Sequence, residues 1–203
     1  MIKNIVFDMG NVLIYWDPRR LCERAGYTGE DAARLQREVF TSAEWTALDR
    51  GLPVEELLPS IFARLPAQLH PIAEHFCRAW WEEPLWPVRD MAPLVRELKA
   101  AGYGIYLLSN ATSCLHRYFE RIPGSECFDG KIVSADHLLL KPDAAIYRLL
   151  FETYGLDPDE CWFIDDWPPN VEAANRCGMR GSVFFDDVPR LRRELRAAGV
   201  RIG

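Results

Sequence analysis

The chain has 203 residues, 49% apolar and 27% charged, a balance that supports one full hydrophobic core with a modest insertion and excludes wholesale disorder. Its 24 basic and 30 acidic residues leave a net charge of −6 without a long basic run, which excludes charge-driven binding to nucleic acid or anionic membrane. No apolar run approaches membrane-spanning length and no charged-then-apolar leader precedes the first apolar run, so a cytoplasmic protein is expected.

In chain order, Ile2 to Phe7 reads as a strand that stops at Asp8 and Gly10. From Trp16 to Pro87 there is helical periodicity but no convincing strand. Val54, Leu57, Leu58, Ile61, Phe62 and Leu65 mark one amphipathic helix, Leu69 to Trp81 another, with Pro and Gly residues separating shorter ones. Met91, Leu94, Val95 and Leu98 then share a helical face before Gly102. A strand over Gly104–Leu108 ends at Ser109-Asn110, and another covers Lys131–Ser134. Lys141-Pro142-Asp143 opens a helix carrying Ile146, Leu149, Leu150 and Tyr154, with Asp143 as its cap. A strand over Cys161–Ile164 ends at Asp165-Asp166. A helix through Val171, Ala174 and Cys177 follows, then a strand over Ser182–Phe185. Arg190, Arg192, Arg193 and Arg196 read as the solvated face of a terminal helix.

Alternating strands and helices predict an α/β fold, a Rossmann-like parallel sheet flanked by helices. The helical block after the first strand's terminal loop predicts a lid over that loop, the plainer reading being a cover for one sheet face. The six cysteines, Cys22, Cys77, Cys114, Cys127, Cys161 and Cys177, contain no Cys-x-x-Cys pair. Free thiols are expected, with Cys114, Cys161 and Cys177 buried.

Ligands of open α/β sheets sit beyond the carboxyl ends of the strands, and those ends carry Asp8, Ser109 and Asp165-Asp166, with Lys141 nearby. Carboxylates from two strands offer the hard oxygen ligands that Mg²⁺ requires. A hydroxyl beside backbone N–H groups can hold a phosphate, and a lysine offsets the acidity of the site. Taken singly, each has a plainer use as a turn, a cap or a solvated loop.

Together, Phe7-Asp8-Met9-Gly10-Asn11-Val12-Leu13, Leu108-Ser109-Asn110, Lys141-Pro142 and Phe163-Ile164-Asp165-Asp166 resemble the four ordered motifs of the haloacid dehalogenase-like hydrolases. The resemblance covers essentially the whole chain. It implies a catalytic core over residues 1–15 and 88–203, with a helical cap over 16–87. It also implies that Asp8 is the nucleophile and Lys141 its orienting partner, with Ser109 and Asn110 binding phosphate. Mg²⁺ would be held by Asp8, the Gly10 carbonyl and Asp165, supported by Asp166. The implied activity is a Mg²⁺-dependent phosphatase that forms an aspartyl-phosphate. Its partner would be a small phosphorylated metabolite such as a sugar phosphate, the Asp-x-Gly-Asn-Val branch being similar to glucose 1-phosphate phosphatases. The chain is expected to be a monomer or homodimer.

The departure from the family pattern is Gly10, where most phosphatases of the family place a second Asp as acid and base. Asp17 is the first candidate to replace it, its plainer role being the cap of the helix that opens at Pro18. Trp45, Asp49, Arg50, Trp80, Trp81 and Trp86 are candidates for a substrate pocket. Asn170 is expected to help structurally, and His116 to lie on the surface. Alternatives are a metal-free 2-haloacid dehalogenase, against which the acidic pair argues, and a catalytically weakened member that binds a phosphometabolite or a protein. A phosphomutase would usually retain the second Asp, and a receiver domain would be shorter.

Overall fold

The computed structural model describes every residue from Met1 to Gly203. Its five strands are β1 (Asn4–Phe7), β2 (Gly104–Ser109), β3 (Gly130–Val133), β4 (Cys161–Asp165) and β5 (Arg180–Val183). They form one parallel sheet in the order β3-β2-β1-β4-β5. β1 is central, with Phe7 registered against Leu107 on one side and Ile164 on the other.

Strand side chains alternate between faces, and the buried residues divide accordingly. Ile5, Phe7, Ile105, Leu107, Val133 and Ile164 enter one core. α6 (Met91–Ala100) joins it through Met91, Leu94, Val95 and Leu98, and α10 (Val188–Ala197) through Leu191 and Leu195. Val6, Leu108, Ile132 and Phe163 enter the other, under α8 (Ala144–Tyr154) and α9 (Pro168–Arg176). Each fully buried Leu, Ile, Val or Phe contributes about 1.5–3 kcal/mol, so covering both faces is what holds the short strands in place.

The last strand lies two residues earlier than its apolar run predicts, at Arg180–Val183 rather than Ser182–Phe185. Pairing decides this. A Cβ on Gly181 would come within 2.6 Å of the Phe163 carbonyl oxygen, so the strand crosses β4 closely where it carries no side chain.

Between β1 and β2 lie α1 (Pro18–Arg24), α2 (Gly29–Leu35), a π-turn at Gln36–Phe40, α3 (Ala43–Asp49), α4 (Val54–Phe62) and α5 (His70–Ala79). The two amphipathic helices are shorter than predicted. α4 ends at Phe62, and 3₁₀ turns at Ala67–Leu69 and Trp80–Glu82 flank α5. The apolar faces of this block, through Leu21, Leu35, Val39, Ile61 and Phe76, belong to the same 43-residue core as one face of the sheet. All six cysteines are free. Cys114 and Cys177 are only half-buried, against expectation, because Cys114 precedes the short helix α7 (Leu115–Tyr118) and Cys177 ends α9. No helix is long and apolar enough to cross a membrane.

Candidate active site

The carboxyl ends of β1, β2 and β4 are adjacent, and the chain leaves β1 towards β2 on one side while β4 lies on the other. A crevice opens where neighbouring connections diverge, and the polar residues collect there. The Asp8 amide donates to the Ile164 carbonyl at 2.8 Å, extending the β1–β4 pairing by one residue and setting Asp8 beside Asp165.

Lys141 stands between these two carboxylates. Its Nζ lies 2.8 Å from Asp8 Oδ1 and 2.6 Å from Asp165 Oδ2, with the lysine side chain and Asp165 fully buried. Burial pushes the Asp8 carboxyl up to about 7, even though the Lys141 ammonium pulls the other way. Burial alone would lower the Lys141 pKa, but Asp165 and Asp8 hold it above its ordinary value, so the ammonium is charged. Asn110 fixes the backbone that carries this lysine. Its Oδ1 accepts from the Lys141 amide at 2.8 Å, and its Nδ2 donates to the Lys141 carbonyl at 3.0 Å. Both polar atoms of Asn110 thus serve the lysine, where the sequence pointed to substrate binding.

Asp8, Asp165 and Asp166 each bring a carboxylate oxygen within 4.8 Å of the others. The pair divides its work. Asp165 accepts from the Trp167 amide at 2.8 Å and from Asn170 Nδ2 at 3.0 and 3.1 Å, besides Lys141. Asp166 is half-buried, lines the cavity, and accepts from Asn11 Nδ2 at 2.9 Å. Its pKa is raised, first by burial. Asn170 Oδ1 is buried without a partner and Asn170 lines the same cavity, leaving an orphan oxygen on the residue that holds Asp165. An all-oxygen set with an unsatisfied acceptor fits a hard divalent cation or its water.

The cavity measures about 280 Å³ and is walled by Met9, Ile14, Trp16, Trp45, Trp80 and Tyr118. Trp16 packs against Trp80 at 4.6 Å and Trp45 at 5.5 Å between ring centroids. Of the candidate pocket residues, Trp45, Asp49 and Trp80 do line it. Arg50 ends α3, Trp81 donates to the Arg78 carbonyl, and Trp86 lies under Arg20. Gly10 lines the cavity, whereas Ser109 is buried at the end of β2 and Asn110, Ala111 and Thr112 form the wall. Asp17 is exposed and caps α1, accepting from the Arg20 amide at 3.0 Å, and it does not reach the cavity. His116 is on the surface, 2.6 Å from Asp136.

Asn11 escaped the sequence reading. It stands at φ 54°, which Asn tolerates, its Oδ1 accepts from the Trp16 amide at 3.0 Å, and its Nδ2 holds Asp166. The Gly-Asn pair after Asp8 is the local signal for such a turn. Tyr118 and Thr112 were missed as well, and no local pattern marks them.

Comparison with known proteins bears on the family and the fold. A family model described as haloacid dehalogenase-like hydrolase matches residues 2–178. A sesquiterpene phosphatase of Aspergillus oryzae is 27% identical over 188 residues, covering 92% of this chain and 91% of that protein. A predicted hydrolase of the same family from Porphyromonas gingivalis superposes with a TM-score of 0.71 at 24% identity, covering 97% of this chain and 98% of the other. A family enzyme of Bacteroides thetaiotaomicron, solved in complex with magnesium and inorganic phosphate, superposes with a TM-score of 0.65 at 21% identity over 94% of this chain and 99% of that one. The two superpositions bear on the fold.

Proposed function

The chain belongs to the haloacid dehalogenase-like hydrolases, and from that premise we propose that it is a Mg²⁺-dependent phosphatase acting on the monophosphate of a small uncharged alcohol. The observation that carries this reading is Lys141 set between Asp8 and Asp165, with Asp166 completing a carboxylate cluster on one cavity. Asp8 attacks phosphorus, and the bond from phosphorus to the alcohol oxygen breaks. Water then attacks the aspartyl-phosphate at phosphorus and frees Asp8. Lys141 orients Asp8 and offsets the charge of the incoming phosphoryl group. Asp8, Asp166 and the Gly10 carbonyl would hold Mg²⁺, while Asp165, the ligand expected from the motif, would support from behind because Lys141, Asn170 and the Trp167 amide already engage its oxygens. Bound Mg²⁺ supplies charge neutralisation at the phosphoryl oxygens. Residues 16–87 act as the cap and residues 1–15 and 88–203 as the catalytic core.

The walls favour an apolar alcohol over a sugar. Lys141 is the one cation lining the cavity, and Asp8 and Asp165 already engage it. A second anionic group would therefore meet Asp49 and indole rings with nothing to neutralise it. The similarity to a sesquiterpene phosphatase supports an apolar leaving group.

The test is phosphate release from alkyl and prenyl monophosphates, glucose 1-phosphate, phosphoserine and a nucleoside monophosphate, with and without Mg²⁺, beside Asp8→Asn. Release that requires both Mg²⁺ and Asp8, with the apolar esters leading, is expected. Turnover by Asp8→Asn at the wild-type rate contradicts the covalent route, and phosphoserine as the best substrate contradicts the assignment of substrate class.

A further inference from the structure

Gly10 leaves the reaction without the carboxyl group that would protonate the departing oxygen from the nucleophile's own loop. The opposite wall of the cavity carries one. Asp49, the last residue of α3, lines the same cavity as Asp8. Its half-buried carboxyl group makes no hydrogen bond or ion pair within the protein, so it is left to the cavity. Its backbone, by contrast, is tied to the sheet side of the site. The buried Ser134 hydroxyl donates to the Asp49 carbonyl and accepts from the Ala111 amide at 2.9 Å. Two residues on, Gly51 at φ 99° sits so close to Ala135 that a Cβ would fall 2.3 Å from that residue's carbonyl oxygen. The helix end bearing Asp49 is thereby held at the wall of the cavity that Asp8 also lines, while its side chain stays free.

We propose that Asp49 is the general acid and base of this enzyme, replacing from the helical segment the acid that Gly10 lacks. The inference rests on the phosphatase reading above. As Asp8 attacks phosphorus and the bond from phosphorus to the alcohol oxygen breaks, that oxygen takes the Asp49 proton and leaves as the alcohol. The resulting Asp49 carboxylate takes a proton from the water that attacks the aspartyl-phosphate. Asp8 and inorganic phosphate are released, and Asp49 is again protonated. Burial, and then the negative charge of Asp8, raises the Asp49 carboxyl well above the usual carboxylate range, the direction a general acid requires.

Gly10 also supplies the control. A Cβ there would meet only Trp16 Cβ, at 3.7 Å, and the residue does not stand at positive φ, so a carboxyl group can be put back. The experiment compares Mg²⁺-dependent single-turnover cleavage of an alkyl phosphate and of p-nitrophenyl phosphate by wild type, Asp49→Asn, and Asp49→Asn with Gly10→Asp. Asp49→Asn is expected to slow alkyl ester cleavage by ~10²–10⁴-fold and aryl ester cleavage far less, since nitrophenolate needs no proton. Gly10→Asp in the same chain is expected to recover much of the alkyl rate. Equal losses for both esters, no loss, or no recovery would overturn the assignment of Asp49 while leaving the phosphatase reading intact. A wild type that cleaves neither ester would overturn both.

Discussion

At Asp8 the carboxyl is buried and its pKa stands at about 7, above the ordinary 3.8. A raised carboxyl pKa makes a contribution to stability that is complete below about pH 4 and is lost as pH rises through about 7. A divalent cation binds the ionised form, so it opposes that loss. The melting temperature in EDTA is therefore expected to fall across this range, and the gain from Mg²⁺ to widen as pH rises. A Mg²⁺ gain that shrinks with rising pH contradicts the carboxylate site. Asp8→Asn removes a buried anion yet keeps its shape. Turnover should vanish while the metal-free protein melts no lower than wild type at neutral pH, by calorimetry.

At the scale of elements, Gly51 after α3 and Gly10 on the cavity wall make a contrast. Gly51→Ala puts a Cβ into the Ala135 carbonyl and forces an L-residue to φ 99°, so a loss of about 2 kcal/mol or more is expected. Gly10→Ala, whose Cβ meets Trp16 Cβ at an ordinary contact distance of 3.7 Å without positive φ, should change stability by less than about 0.5 kcal/mol. Denaturant midpoints of the two variants decide it, and equal effects would contradict the close contact at Ala135. Lys141 depends on an element as well. Asn110→Ala removes both hydrogen bonds to its backbone, so a loosened ammonium should lower kcat more than it raises KM. A pure KM effect would return Asn110 to the substrate-binding role expected from its motif.

For the whole molecule, one 43-residue core runs from Leu35 and Phe76 of the helical segment to Phe7 and Leu107 of the sheet. No break in apolar packing separates the segment from the sheet face it covers. Tryptophan fluorescence, to which residues 16–87 contribute five of the seven tryptophans, and far-ultraviolet circular dichroism should report the same denaturation midpoint. Separate midpoints would mean that the helices hold together without the sheet. The shared core also limits how the cavity opens, because a large rotation of the segment would part Trp80 and Trp81 from Tyr118.

Short apolar runs ending in acidic or hydroxyl residues, each followed by helical periodicity, were enough to read the parallel sheet, its two covering layers and the placement of Asp8, Lys141, Asp165 and Asp166 at one end. Those features are local, since alternation, turn chemistry and motif order are written within a few residues. β5 was misplaced by two residues because its limits depend on which residue can pass the Phe163 carbonyl, a fact about β4 and not about the run itself. Asp17 was the acid the sequence put forward to replace the one missing at Gly10, and Asp49 only a candidate for the pocket wall. Tertiary structure separated them, turning Asp17 outward to cap α1 and holding Asp49 over the cavity through Ser134. It likewise showed Asn110 serving Lys141, left Asn170 Oδ1 buried without a partner, and placed Asp166 on the cavity beside the saturated Asp165. Sequence alone determined which groups arrive at the end of the sheet, because that follows from local order. Which of them is left without a partner, and so is free to act, was decided only by contacts between residues far apart in the chain.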